Sequence, residues 1–226
     1  MSSECPVKHE AKPAECPVKH DQPQLEIDPN NNMPKIPEMQ TWPGQKQDLN
    51  KTRATSTIPK GAFTPPHQEN VKEGEAWVYP SEQQFFNAMK RKGFDAKEED
   101  MVTVVAIHNA VNERTWREVL KWETRYHAQH CPEPRLLKFL GRPTDKSPKA
   151  RFLTTFLGYV EPFDRHDWTV DRCGEEVRYV VDFYRGKISA NDGTPIAFHV
   201  DARPALDNFS AVKDRVRMCV SEWFGF

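Results

Sequence analysis

Proline divides this chain before any other residue does. Eleven of its 19 prolines fall within the first 72 residues, and each fixes its own φ and withholds a backbone donor. The apolar residues of that stretch follow no period, so it presents neither a helix face nor a strand face for burial. Ordering such a segment costs more conformational entropy than its burial returns. Residues 1–72 are therefore expected to form a disordered tail and residues 73–226 one folded domain. A hydrophobic share of 37% over the whole chain suits that division.

Beyond the tail the pattern becomes periodic. Ser81 has the position of an N-cap, with Gln84 as capping-box partner, Phe85, Phe86 and Met89 facing inward, and Gly93 as the stop. Glu98, Glu99 and Asp100 suit a helix N-terminus. They introduce the β-branched run 101–107, read here as helix. A further helix spans about Asn112 to His127, with Trp116, Val119, Leu120 and Tyr126 on one face and Glu123 near its middle. After Pro132 and Pro134, a short helix is expected to carry Leu136, Leu137 and Leu140. The period then drops to two. Val177, Tyr179, Val181 and Phe183 alternate with polar residues, and Trp168–Arg172 precedes them across Cys173-Gly174, which reads as a hairpin. Residues 196–201 give a third strand. Pro204 opens a closing amphipathic helix whose stripe holds Ala205, Phe209, Val212, Val216, Cys219, Val220 and Trp223. The expected class is α+β: a mostly helical core, a small antiparallel sheet and the C-terminal helix.

Thirty-two basic residues against 33 acidic ones leave no cationic excess for nucleic acid. No apolar run reaches the ~20 residues of a membrane-spanning helix. Neither a signal peptide nor an Arg-rich presequence is visible, so general rules place the chain in the cytosol. Five cysteines without paired spacing suggest no disulfide framework.

Several residues have chemistry to offer. Cys5 and Cys16 head two copies of Glu-Cys-Pro-Val-Lys-His, which place a soft sulfur on an extended segment, suited to iron or zinc or to nothing beyond a duplicated linker. His108, at the expected junction between two helical segments, is a neutral imidazole able to ligate iron or to serve structure alone. The run Phe163-Asp164-Arg165-His166-Asp167-Trp168 is either a site edge or a salt-bridged loop. Arg172 and Arg178 can meet the carboxylates of a ligand, or form a solvated sheet face. His127, His130 and Cys131 make at most half a zinc site, and Cys219 reads as core.

These pieces, in their order, resemble the mitochondrial cytochrome c-type haem lyases, or holocytochrome c synthases. The resemblance is carried by the Cys-Pro-Val copies, Asn32-Met33-Pro34, Ser56-Thr57-Ile58-Pro59, Trp77-Val78-Tyr79-Pro80-Ser81 and Ile107-His108-Asn109 with Asn112-Glu113. It continues through Leu136-Leu137-Lys138-Phe139, Pro162 to Trp168, Arg172-Cys173-Gly174, the run Tyr179 to Tyr184, and Asp201 to Leu206. It covers nearly the whole chain.

The resemblance implies an enzyme that joins haem vinyl groups to the thiols of a Cys-x-x-Cys-His segment in apocytochrome c, c1 or both. Its substrate is ferrous haem b, with no other cofactor, and it acts in the mitochondrial intermembrane space, peripherally on the inner membrane. His108 matches the family's axial ligand to haem iron, and Cys5 and Cys16 its haem regulatory motifs. Glu113 is the second expected catalytic residue. Trp77, Tyr79, Trp116, His166, Trp168 and Arg172 are expected to line the haem cleft. A non-enzymatic haem carrier or sensor would use the same His108 and Cys-Pro features.

Overall fold

The computed structural model describes residues 39–62, 75–142, 144–186 and 198–225, with a short antiparallel pairing of Ile27–Asp28 (β1) and Met33–Pro34 (β2). Strands Thr55–Pro59 (β3) and Ala76–Val78 (β4) form a second antiparallel pair. Helices α1 (Glu82–Arg91) and α2 (Met101–His127) follow. Next come β5 (Arg135–Gly141), α3 (Pro148–Leu157), β6 (Asp164–Arg172), β7 (Glu175–Arg185), β8 (Phe198–Pro204) and α4 (Phe209–Phe224).

The expectation of a mostly helical core is overturned. The centre is a four-stranded antiparallel sheet in the order β5-β6-β7-β8, and most of the main buried cluster comes from its strands. Trp168, Val170, Val177, Tyr179, Val181, Phe183, Val200 and Ala202 project from one face. Trp116 and Val119 of α2 pack onto it, joined by Ile58 and Trp77 from the β3–β4 pair. The sheet is larger than expected for two reasons. Leu136, Leu137 and Leu140 belong to β5 rather than to a short helix, because six residues of that strand pair with β6 and this pairing overrides leucine's helix preference. Strand β6 also begins at Asp164, so the charged Asp-Arg-His-Asp run is strand and not loop.

The alternation of β6 sorts that run. His166 and Trp168 face α2, while Arg165 and Asp167 turn to the opposite face. That second face is built from charge. Asp167 accepts from Arg165 at 3.0 Å and from Arg178 at 2.8 Å, and Arg203 bonds Asp182 at 2.6 Å. Ser147, the N-cap of α3, donates to Asp182 at 2.6 Å and fastens α3 to this face.

Other details also depart from expectation. Helix α2 runs unbroken from Met101, so His108 lies within a helix and not at a junction. The capping box at Ser81 and Gln84 is present. Part of the stretch expected as tail is packed: Leu49, Ile58 and Lys60 are buried, the last two against the main body. Helix α4 starts after Asn208, not at Pro204, and buries Ala211 and Asp214 instead of the predicted stripe, leaving Cys219 exposed. Finally, Cys131 and Cys173 form a disulfide, contrary to the reading that none exists. It joins the end of α2 to the β6–β7 turn, where Cys173 and Gly174 both take positive φ, at 49° and 98°. No helix among the described residues is long and apolar enough to cross a membrane.

Candidate functional site

His108 sits on the half of α2 that extends past the sheet toward α1. Its ring is half-buried, with Phe85 of α1 edge-on at 4.9 Å and Tyr79 at 6.4 Å. Asn109 and Asn112 supply its polar neighbours, at 3.3–3.4 Å from the ring nitrogens. Asn112 also donates to the His108 carbonyl at 2.9 Å, which fixes the amide beside the ring. No carboxylate bonds the imidazole among the described contacts. Burial pushes its pKa down to about 4, the positive surroundings of His166 and Lys92 push the same way, and only Asn109 opposes them. At neutral pH the ring is therefore uncharged and keeps a lone pair for a ligand.

One and a half turns further along α2, Glu113 acts as a latch. Its carboxylate accepts from the Thr57 amide at 3.0 Å, from the Thr57 hydroxyl, and from the Tyr79 hydroxyl at 2.8 Å. Burial alone raises its pKa, but these three hydrogen bonds and Arg117 outweigh burial and hold it below the usual range. Glu113 thus ties α2 to β3 and to the residue after β4. The same bond, after burial, raises the pKa of the Tyr79 phenol. Tyr79 is positioned by Glu113 beside the His108 ring.

His166 approaches from the sheet. Its Nε2 lies 3.2 Å from Asp164, and Phe183 stands edge-on to it at 5.4 Å. Gly141 pairs with His166 across the strands, and a Cβ there would lie in ordinary contact with the ring, 3.4 Å from Nε2. The other nitrogen, Nδ1, is buried and finds no partner among the described residues. His166 is near enough for its charge to act on the His108 ring, so the orphaned nitrogen and the uncharged imidazole share a neighbourhood, with Phe85 and Tyr79 against His108 and Phe183 against His166.

The remaining predicted site residues lie elsewhere. Trp77, Trp116 and Trp168 belong to the core, with the Trp77 indole donating to the Leu136 carbonyl at 3.0 Å. Arg172 is 1% exposed and its guanidinium already forks onto Glu123 at 2.7 and 2.9 Å, with Asp214 at 3.7 Å. Trp168 and Arg172 do share a face, as their spacing requires, but that face is the packed interior. The zinc idea dissolves likewise: Cys131 is in the disulfide, His127 bonds Asp214 at 2.7 Å, and no group of three metal-binding side chains occurs among the described residues. Cys5 and Cys16 lie outside the described residues. Sequence reading did not single out Phe85 or Asn112 as site residues. Asn112 lies four residues after His108 and so had a helical-spacing signal; Phe85 had none.

A family profile described as cytochrome c/c1 heme lyase matches residues 1–219. The chain belongs to this family. The haem lyase is 45% identical to the holocytochrome c-type synthase of Gallus gallus, over 87% of this chain and 69% of that protein. It is 49% identical to a putative holocytochrome-c1 synthase of Schizosaccharomyces pombe over 68% of each. Against the holocytochrome-c synthase of Saccharomyces cerevisiae it is 40% identical over 95% of this chain and 85% of that one. No solved structure matches it. As a haem lyase it handles haem, and two imidazoles in this neighbourhood, His108 and His166, have the chemistry of an iron ligand; His108 is the one with no carboxylate against its ring among the described residues.

Proposed function

We propose that the chain is a holocytochrome synthase in which His108 holds one face of ferrous haem b while the apocytochrome's own histidine takes the other. The substrate protein is apocytochrome c, apocytochrome c1 or both. The observation that carries the site is His108 itself: a half-buried imidazole kept uncharged, with two aromatic rings beside it and no carboxylate bonded to it among the described residues. The family supports the reaction.

The chemistry is addition. Each substrate S–H adds across one haem vinyl, forming a C–S bond and a C–H bond, with no net redox change. The contribution of the enzyme is to place two thiols beside two vinyl groups. His108 fixes the iron, and Phe85 and Tyr79 limit how the ring system can lie beside it. Glu113 acts on haem through Tyr79 and through the β3 strand it anchors, so it is a positioning residue. Cys5 and Cys16 make transient haem contact and are not needed for bond formation. The disulfide between Cys131 and Cys173 suits an oxidising compartment better than the cytosol. The place of action proposed is the mitochondrial intermembrane space, peripheral on the inner membrane; the disulfide supports only the oxidising character of that compartment.

The test is co-expression with an apocytochrome in a host lacking other maturation systems. The wild type yields haem that stays on the cytochrome through acid-acetone denaturation. His108→Ala purifies with little haem and yields little product. Full haem occupancy with unchanged optical bands in that variant would sink the ligand assignment. Haem on the enzyme with no covalent product in the wild type would favour a carrier.

A further inference from the structure

Helix α4 leaves its apolar stripe uncovered. Phe209, Val212, Val216, Val220 and Trp223 recur three or four residues apart and are all exposed, Phe209 and Trp223 at 83%. Such a stripe ordinarily faces a core. Here the inward side is Ala211 and Asp214, and Asp214 is bonded to His127 at 2.7 Å and lies 3.7 Å from Arg172. Asp214 stands two residues from both Val212 and Val216, which on a helix places it on the opposite side. The buried charge anchors one face and turns the apolar one outward.

The margins of the stripe are basic. Lys213 and Arg217 border it on one side and Arg215 on the other, while Glu222 is the one acid of α4 that reaches solvent. An apolar band containing Trp and Phe, edged with cations, is the composition of a helix lying in a lipid–water interface. A second copy of α4 would set the same cations against each other. Another exposed apolar patch, Phe152, Phe156 and Leu157 of α3 with Tyr159, has fewer available cations: Lys146 and Lys149 near it pair with Glu161 and Asp201, which leaves Arg151 beside it.

We propose that α4 docks on an anionic lipid surface, its Phe209, Val216 and Trp223 entering the headgroup region and its three cations meeting lipid phosphates. The proposal names the surface responsible for the membrane-peripheral placement and rests on that reading.

The test uses the full chain with vesicles of phosphatidylcholine alone or mixed with phosphatidylglycerol. Trp223 is the one exposed tryptophan of six, so its fluorescence shifts to the blue on anionic vesicles, and the protein sediments with them. At about 1 kcal/mol per cation near the surface, binding to the anionic vesicles exceeds binding to the neutral ones at least tenfold. Val216→Glu with Val220→Glu lowers anionic-vesicle binding at least tenfold with an unchanged melting temperature. Lys213→Glu with Arg217→Glu removes the preference for anionic lipid. If the wild type binds and the valine double variant binds equally, the α4 assignment is wrong while the membrane reading stands. If the wild type ignores both vesicle types, the membrane reading fails with it. A wild-type dimer that the double variant dissolves, with no vesicle binding, makes a second copy the occupant. Loss of apocytochrome binding in the double variant with vesicle binding intact makes the substrate the occupant. Either result overturns the lipid proposal.

Discussion

Two residues show how burial and bonded partners together assign opposite duties to groups that look alike in sequence. His108 and Arg172 both present nitrogen donors on regular elements, yet one is left available and the other is consumed. Arg172 and Glu123 are buried together, with the Tyr179 hydroxyl donating to the same carboxylate at 2.5 Å. Such a pair contributes little net stability, but removing one partner strands the other charge in the interior. Arg172→Ala is therefore expected to lower unfolding stability by about 3–5 kcal/mol in urea denaturation. Arg172→Lys, which keeps the charge and loses the fork, falls between. A variant that melts like the wild type and instead loses only haem would restore Arg172 to the haem site. For His108, the folded pKa of about 4 lies below the ordinary 6.5. As pH falls, the unfolded chain takes up this proton first, so the group withdraws stability between pH 6.5 and about 4 and none above. NMR titration of the haem-free protein should show the His108 ring signals moving with a midpoint near 4. A midpoint near 6.5 would mean that the ring is solvated and that its availability as a neutral ligand owes nothing to the fold.

At the scale of elements, legibility followed the strength of local signals. Helix α1 was readable because a capping box and a terminal glycine are written in consecutive residues. Strand β7 was readable because Val177, Tyr179, Val181 and Phe183 alternate strictly. Strand β5 was not, since the leucines of Arg-Leu-Leu-Lys-Phe-Leu-Gly sit at helical spacing and the decisive term is pairing with β6, some thirty residues away. The stripe of α4 was read correctly from Phe209 onward, though not at Ala205, which precedes the helix; its direction was read wrongly, because Asp214 finds partners on α2 and β6 that no local pattern announces. For the same reason the disulfide was illegible: Cys131 and Cys173 are 42 residues apart in sequence and 5.5 Å apart at their Cα atoms. Closing a loop of that length is worth about 4 kcal/mol on chain entropy alone, with 2–4 typical. The prediction is that Cys131→Ser, or reduction of the wild type, lowers the denaturation free energy by that amount and raises the slope against urea, because the unfolded chain is freed to expand. A stability indifferent to reductant would show that the thiols are not joined in solution.

The whole molecule is organised so that its candidate haem neighbourhood belongs to no single unit. His108 and Glu113 come from α2, Phe85 from α1, Tyr79 from the chain after β4, Thr57 from β3 and His166 from the large sheet. Holding them together requires the stretch that proline content assigned to a tail. Ile58 is 2% exposed within the main cluster, the Gly61 amide donates to the Leu136 carbonyl at 2.9 Å, and Thr57 bonds Glu113. Prolines do not prevent this. Pro59 lies at the last position of β3, where a missing donor is tolerated. Sequence composition reports the average of a segment, whereas packing depends on the few residues that fit, and here those are Ile58 and its neighbours. A chain lacking residues 1–62 should lose its cooperative melting, because Trp77, Trp116 and Leu136 lose apolar cover and β4 loses its pairing partner. The milder Ile58→Ala, which removes only the buried side chain, should cost about 2–5 kcal/mol and leave a folded protein whose haem occupancy can still be read. If the truncated chain melts as sharply and at the same temperature as the full one, residues 39–62 are not part of the core and the latch from Thr57 to Glu113 cannot position Tyr79 beside His108.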